Sequence, residues 1–344
     1  MKTRVYITVD VEASVARSIH RYADGFRPLL DSFVACDVGG RSEGLGFLLR
    51  TLSRYGQTAT FFVEAAQTQY FGAEPMGRYV EELLSAGQDV QLHVHPAWFN
   101  FRDGPPSPDP AERMSDDCAD YTEAELTDLF GQCVEIFRGW TGRAPFALRT
   151  GTFSCGRSVF RAMANCGIPL SSNICVGISE PKEPEYRRPC GWIRAEGVWE
   201  SPATCFLDRH PGRSPRFRPL QITACSASEL TAMLDQAQAL GMTDVVLLTH
   251  PFEFVRASSR DNPTPERTKR MLINRLIQQR FEHVCAYLAD HTDRFEVKTF
   301  GDWSAHGDIG AADFAVRDYP ALQGSAVQAV LRSASNTISD RLPW

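Results

Sequence analysis

Leu45-Gly-Phe-Leu-Leu-Arg-Thr-Leu-Ser-Arg-Tyr-Gly-Gln-Thr-Ala-Thr-Phe-Phe-Val63 decides the fold. Leu45, Leu48, Leu49, Leu52 and Tyr55 share one helical face between Gly44 and Gly56, and 59–63 is a short apolar run of strand length. Upstream, Val5-Tyr-Ile-Thr-Val-Asp10-Val-Glu12 reads as a second buried strand, which makes the region a β-α-β unit. The pattern recurs downstream. A helix around 76–87 precedes a strand at 89–93, and a helix from Thr122, where Thr122-x-x-Glu125 forms a capping box, precedes a strand at 145–149. Residues 157–166 look helical and lead into Ile168-Pro-Leu-Ser-Ser172, and Ser226-x-x-Glu229 caps a helix running to Gly241 before a strand at 245–248. Such alternation builds a parallel sheet.

Polar residues fall at the carboxyl ends of these strands, where barrel active sites sit. The expected fold is therefore α/β, a deformed (β/α) barrel of seven or eight mostly parallel strands rather than a doubly wound sheet. Three stretches break the rhythm: 96–121, 176–197 and 206–219, rich in Pro, Asp, Ser or Arg, where such folds keep lids and specificity elements. We expect the barrel to span 1–303. The remaining 304–344 reads as a C-terminal extension, loosely packed or partner-binding, with modest helical pattern near 325–333.

The chain has 344 residues, 43% of them hydrophobic, enough for a sizeable core, and a formal net charge of -6. That charge argues against a broad nucleic-acid footprint. No stretch is long and apolar enough to span a bilayer, and the start lacks a signal-peptide pattern, so the expected location is cytoplasmic. Ten cysteines stand without a Cys-x-x-Cys pair and read as reduced core thiols.

The chemistry gathers at four strand ends. Asp10 and Glu12 are two apart, so on an extended strand both side chains point the same way. Such a pair suits one metal ligand and one general base, or is a solvated pair of charges. His93 and His95 repeat that geometry ahead of Pro96, and their imidazoles suit zinc, cobalt, nickel or ferrous iron. With a carboxylate of the first strand they make a two-His, one-carboxylate site with open positions. Arg149 puts a permanent cation at a strand end, either to orient a catalytic carboxylate or as a structural salt bridge. His250 ends the 245–248 strand and could donate a proton, take a third ligand position or sit satisfied in the core; Glu253 and Glu200 are candidates to orient it. His20, His210, His283, His291 and His306 read as surface or packing residues. Arg209, Arg213, Arg216 and Arg218 read as a solvated face that, beside an active site, would receive an anionic group.

In this order the motifs resemble the polysaccharide deacetylase family, the carbohydrate esterases that share the chitooligosaccharide-deacetylase homology domain, over roughly residues 3–300. Thr8-Val-Asp10-Val-Glu12 resembles the opening Thr-Phe-Asp-Asp motif, and 48–63 resembles the helix and Ala-Thr-Phe-Phe strand. Gly87-Gln-Asp-Val-Gln-Leu-His-Val-His-Pro96 resembles the metal-histidine motif, Leu148-Arg149-Thr-Gly the arginine motif, and Leu247-Leu-Thr-His250-Pro the last histidine motif. The resemblance implies Asp10 as general base, Glu12, His93 and His95 as ligands of one divalent transition metal, Arg149 as orienter of Asp10 and His250 as general acid. It implies zinc first, with cobalt, nickel or iron as alternatives. Here the family's adjacent aspartates are Asp-x-Glu and its histidine spacing of four is two, which leaves open whether Asp10 or Glu12 touches the metal.

The implied reaction is metal-assisted removal of an N-acetyl group from an amino sugar or glycan precursor. A cyclic amide or imide hydrolase, or an amino-sugar deformylase, would use the same site. A two-metal amidohydrolase would need histidines at further strand ends, which the sequence lacks. The non-enzymatic alternative is a glycan-binding or partner-binding barrel. The expected partners are a small-molecule or oligosaccharide substrate, anionic or nucleotide-linked, and no nucleic acid; an oligomer is left open.

Overall fold

β1 (Thr3–Val11) is buried on both faces, as a strand at the centre of a parallel sheet must be. The computed structural model describes residues 2–14, 19–258, 270–306 and 316–341. β1 pairs along one edge with β10 (Asp244–Thr249), from Arg4 opposite Asp244 to Val9 opposite Thr249. Its other edge is shared: β13 (Phe295–Lys298) takes the first half and β2 (Thr60–Glu64) the second. The sheet continues through β3 (Asp89–Val94), β4 (Ala147–Thr150), β5 (Leu170–Ser171) and β7 (Val198–Glu200). Every pair in this nine-stranded sheet is parallel except β7 with β6 (Ile193–Ala195).

The sheet curls, and its two faces bury separate clusters. Inside lie Tyr6, Phe62, Ala147, Leu170, Trp199, Val246 and Phe300. Outside, Val5, Ile7, Val9, Phe61, Val63, Leu92 and Leu247 pack with the helices. The wall between β7 and β10 is bridged irregularly: Leu220 donates to Thr204 O, Leu248 to Leu220 O, and Ile222 to Leu248 O. This is the expected deformed barrel.

The helices form where the apolar spacing demands. In α1 (Leu45–Arg54), Leu45, Leu48 and Leu52 are buried. α2 (Glu74–Ser85) buries Met76, Val80 and Leu83. α3 (Glu123–Thr141) opens with the Thr122/Glu125 capping box and closes at Gly142, whose φ of 72° is the left-handed conformation that ends helices. α4 (Arg157–Asn165) follows β4, and α5 (Ala227–Ala239) opens with the Ser226/Glu229 capping box. α6 (Arg275–Asp290) precedes β13. Each capping box contributes about 1 kcal/mol and, by fixing the helix start, sets where the next strand begins.

One expectation changes. The 206–219 stretch is an antiparallel hairpin, β8 (Cys205–Asp208) with β9 (Arg216–Pro219), rather than a loop. Of its arginines, Arg209, Arg213 and Arg216 are exposed, as the solvated reading expects, while Arg218 turns to Asp208 at 2.8 Å. Beyond β11 (Val255–Ala257) and β12 (Met271–Ile273), an antiparallel pair, the tail returns to this hairpin. β14 (Leu322–Gln323) pairs with β8, and α7 (Ala326–Arg341) inserts Arg332 between Asp208, at 2.7 Å, and Glu229. Arg332 is only 3% exposed. All ten cysteines are free, nine of them buried, as expected of core thiols. No described helix is long and apolar enough to cross a membrane.

Candidate metal centre

Period-two geometry sends Tyr6, Thr8 and Asp10 of β1 into the barrel, with Glu12 one step beyond the strand. β3 does the same with Gln91 and His93, and with His95 just past its end. Registers opposing Asp10 to Phe62, Glu64 to His93 and His93 to Arg149 bring these side chains to one level at the carboxyl rim. There Glu12, His93 and His95 form the one metal-capable cluster of His, Cys, Asp and Glu among the described residues, their ligand atoms within 4.8 Å of one another. Glu12 Oε2 lies 3.1 Å from His93 Nε2 and 2.8 Å from His95 Nε2.

The outer nitrogens say what the inner ones can do. His93 Nδ1 is 2.8 Å from Arg149 O; a carbonyl only accepts, so Nδ1 carries the proton of that bond. With Nδ1 held by that carbonyl, Nε2 is the nitrogen turned to Glu12. His95 Nδ1 faces Asp116 Oδ2 at 2.8 Å, so this ring stands between two carboxylates. Burial lowers its proton affinity, but Asp116 and Glu12 outweigh that and hold its pKa well above 6.5. Burial pushes Glu12 up, yet His95 and His93 pull it well below the usual carboxylate range. One carboxylate and two imidazoles with the remaining nitrogens fixed from behind are the donor set of a zinc-type ion with open positions, and these residues fit it.

Beside the cluster, Asp10 and His250 face each other. Arg149, fully buried, donates from Nη1 to Asp10 Oδ1 at 2.7 Å and to Thr8 Oγ1 at 3.0 Å. Its other nitrogens donate to Ser172 O and Oγ at 3.1 and 2.9 Å, and the rings of Phe62 and Phe153 sit 4.3 and 5.2 Å from the guanidinium carbon. Asp10 Oδ2 is left facing His250 Nε2 at 3.8 Å. His250 Nδ1 is 2.9 Å from Glu253 Oε1, and Glu253 is itself held by Thr249 Oγ1 at 2.8 Å and by Gln221. Burial lowers the His250 pKa, but the Glu253 hydrogen bond and the charges of Glu253, Glu12 and Asp10 raise it to about 9.

All six residues singled out from the sequence thus meet at one rim. Of the two orienters, Glu253 reaches His250; Glu200 instead accepts from Ser171 and from the Asn173 and Ile174 amides, securing the turn after β5. Asp116 was missed, because it lies 21 residues from His95 inside a Pro- and Ser-rich stretch. Glu64 was missed too. It ends β2 in register with His93, fully buried, and burial raises its pKa well above the carboxylate range. The strand-end rule that found His93 would have found it.

No family model and no curated protein matches the sequence. Among solved structures the chain is similar to a protein from Mycobacterium smegmatis assigned as a polysaccharide deacetylase, at 15% identity and a TM-score of 0.51, covering 92% of this chain and 93% of that one. The fold is that of the polysaccharide deacetylases. A family 4 carbohydrate esterase from Streptomyces lividans (12% identity, TM-score 0.38, 84% and 88% covered) is a more distant similarity. So is a CE4 family pseudoenzyme from Bacillus anthracis (11%, 0.41, 88% and 65%).

Proposed function

We propose that the protein is a metal-dependent hydrolase that removes an N-acetyl group from an amino sugar or glycan precursor. The observation that carries this reading is the convergence of Glu12, His93 Nε2 and His95 Nε2 beside a separately anchored acid–base pair. A divalent transition metal held by these three residues would supply Lewis acidity at the rim. The protein's own groups do the rest. Arg149 occupies Asp10 Oδ1, so Oδ2 is the atom that takes the proton of the attacking water. His250, its Nδ1 proton shared with Glu253 and its pKa raised to about 9, is protonated at neutral pH and presents Nε2–H toward the same space. It delivers that proton to the departing amine, leaving a free amino sugar and acetate. Asp10 and His250 stand 3.8 Å apart, so the two transfers take place around one small reacting group.

The test is acetate release from a panel of N-acetylated amino sugars and short glycans by the metal-loaded enzyme. Asp10→Asn and His250→Ala should each lose roughly two to four orders of magnitude in turnover while still binding substrate. Near-wild-type turnover in either variant would remove its assigned role.

A further inference from the structure

The loop at 96–121 is held rigidly for a segment of its composition. Asn100 Oδ1 accepts the Met114 N–H at 2.8 Å, while its Nδ2 donates to Met114 O at 3.1 Å and Ala97 O at 2.8 Å. Tyr121 Oη donates to Ser115 O at 2.7 Å. Asp117 Oδ1 accepts the Ala119 N–H at 2.8 Å and the Ser154 hydroxyl, and Ser115 Oγ accepts the Asp117 N–H at 3.0 Å. Asp116 stands between these anchors. Its Oδ2 is 2.8 Å from His95 Nδ1, and its Oδ1 accepts the Ala97 N–H at 3.4 Å. Gly151 closes the other side of the imidazole, where a Cβ would overlap the ring.

We infer that Asp116 is a positioning residue of the metal centre, an inference that rests on the metal-dependent reading above. By accepting the Nδ1–H of His95 it fixes the tautomer that leaves Nε2 as the donor atom, and its charge makes that nitrogen a stronger ligand. The two histidines differ here: His93 leans on a carbonyl and His95 on a carboxylate. His95 lies just outside β3, where the ladder no longer fixes the backbone, so the loop supplies the rigidity that the strand does not. A segment that looks like an inserted lid thus builds part of the site.

The experiment is zinc titration, by competition with a chromophoric chelator, of wild type, Asp116→Ala, Asp116→Asn and Asp117→Asn, with the melting temperature of each metal-free protein. Asp116→Ala should bind zinc about 10- to 100-fold more weakly. Asp116→Asn should fall between, because an amide oxygen still accepts the Nδ1–H without the charge. Asp117→Asn, which disturbs a loop anchor without touching His95, should lower the melting temperature more than the affinity. Wild-type affinity in Asp116→Ala overturns the inference, as does equal weakening in the Asp116 and Asp117 variants, which would reduce Asp116 to a loop anchor. A wild type that takes no zinc or other transition metal overturns the metal reading itself, and this inference with it.

Discussion

His250 shows how one residue's environment sets its chemistry. Its pKa is raised to about 9 in the folded chain against an ordinary 6.5, so its pairing stabilises the fold fully below about pH 6.5 and ceases to do so as pH rises through 9. A shift of that size corresponds to about 3 kcal/mol. Glu12 has the opposite sign: held well below 4.5, it stabilises above that pH and the contribution is lost in acid. In chelator, the melting temperature of wild type should exceed that of His250→Gln at pH 6, and the gap should close by pH 10; a gap constant with pH would show that the pairing carries no such stability. Gly151 makes a steric prediction. Because a Cβ there would overlap the His95 ring, Gly151→Ala should weaken metal binding at least tenfold while the chain still folds, as read by metal titration and circular dichroism. Six site residues were legible because each ends an apolar strand run. Thr8, Ser172 and Asp116 were not, since a hydroxyl or carboxylate acquires its role only when distant segments meet, as Ser172 meets Arg149 across 23 residues.

At the scale of elements, local signals were readable and long-range ones were not. The Thr122 and Ser226 capping boxes announced α3 and α5, because both hydrogen-bond partners lie within three residues. The β8–β9 hairpin gave no such signal: Arg209, Pro211, Gly212 and Pro215 mask its short strands, and its stability comes from β14 and α7, more than 100 residues on. There Arg332 pairs with Asp208 and Glu229, all three buried. Arg332→Met should cost about 3 kcal/mol in chemical denaturation, since it takes a buried cation from two buried carboxylates, leaving Asp208 to Arg218 and Glu229 to the Ser226 cap. A loss under about 1 kcal/mol would mean that the tail does not secure the hairpin.

For the whole molecule, alternation announces a parallel sheet and the polar strand ends a deformed barrel, while the course of its irregular wall was not readable. The sheet pairs β10-β1-β2-β3-β4-β5-β7 in parallel and then leaves a wall to the irregular 204 and 220–222 segments, whose sequence carries no strand period. That order puts β1, β3, β4 and β10 close enough for their ends to share one rim, which is why Asp10, Glu12, His93, Arg149 and His250 converge from across 240 residues. The proposed activity requires that convergence to hold a metal. The measurement that tests it most directly is the metal content of purified wild type beside a His93→Ala/His95→Ala variant, each refilled with zinc, cobalt or nickel and desalted. We predict about one equivalent of transition metal in wild type and none in the variant; no metal in wild type, or equal metal in both, would contradict the central claim.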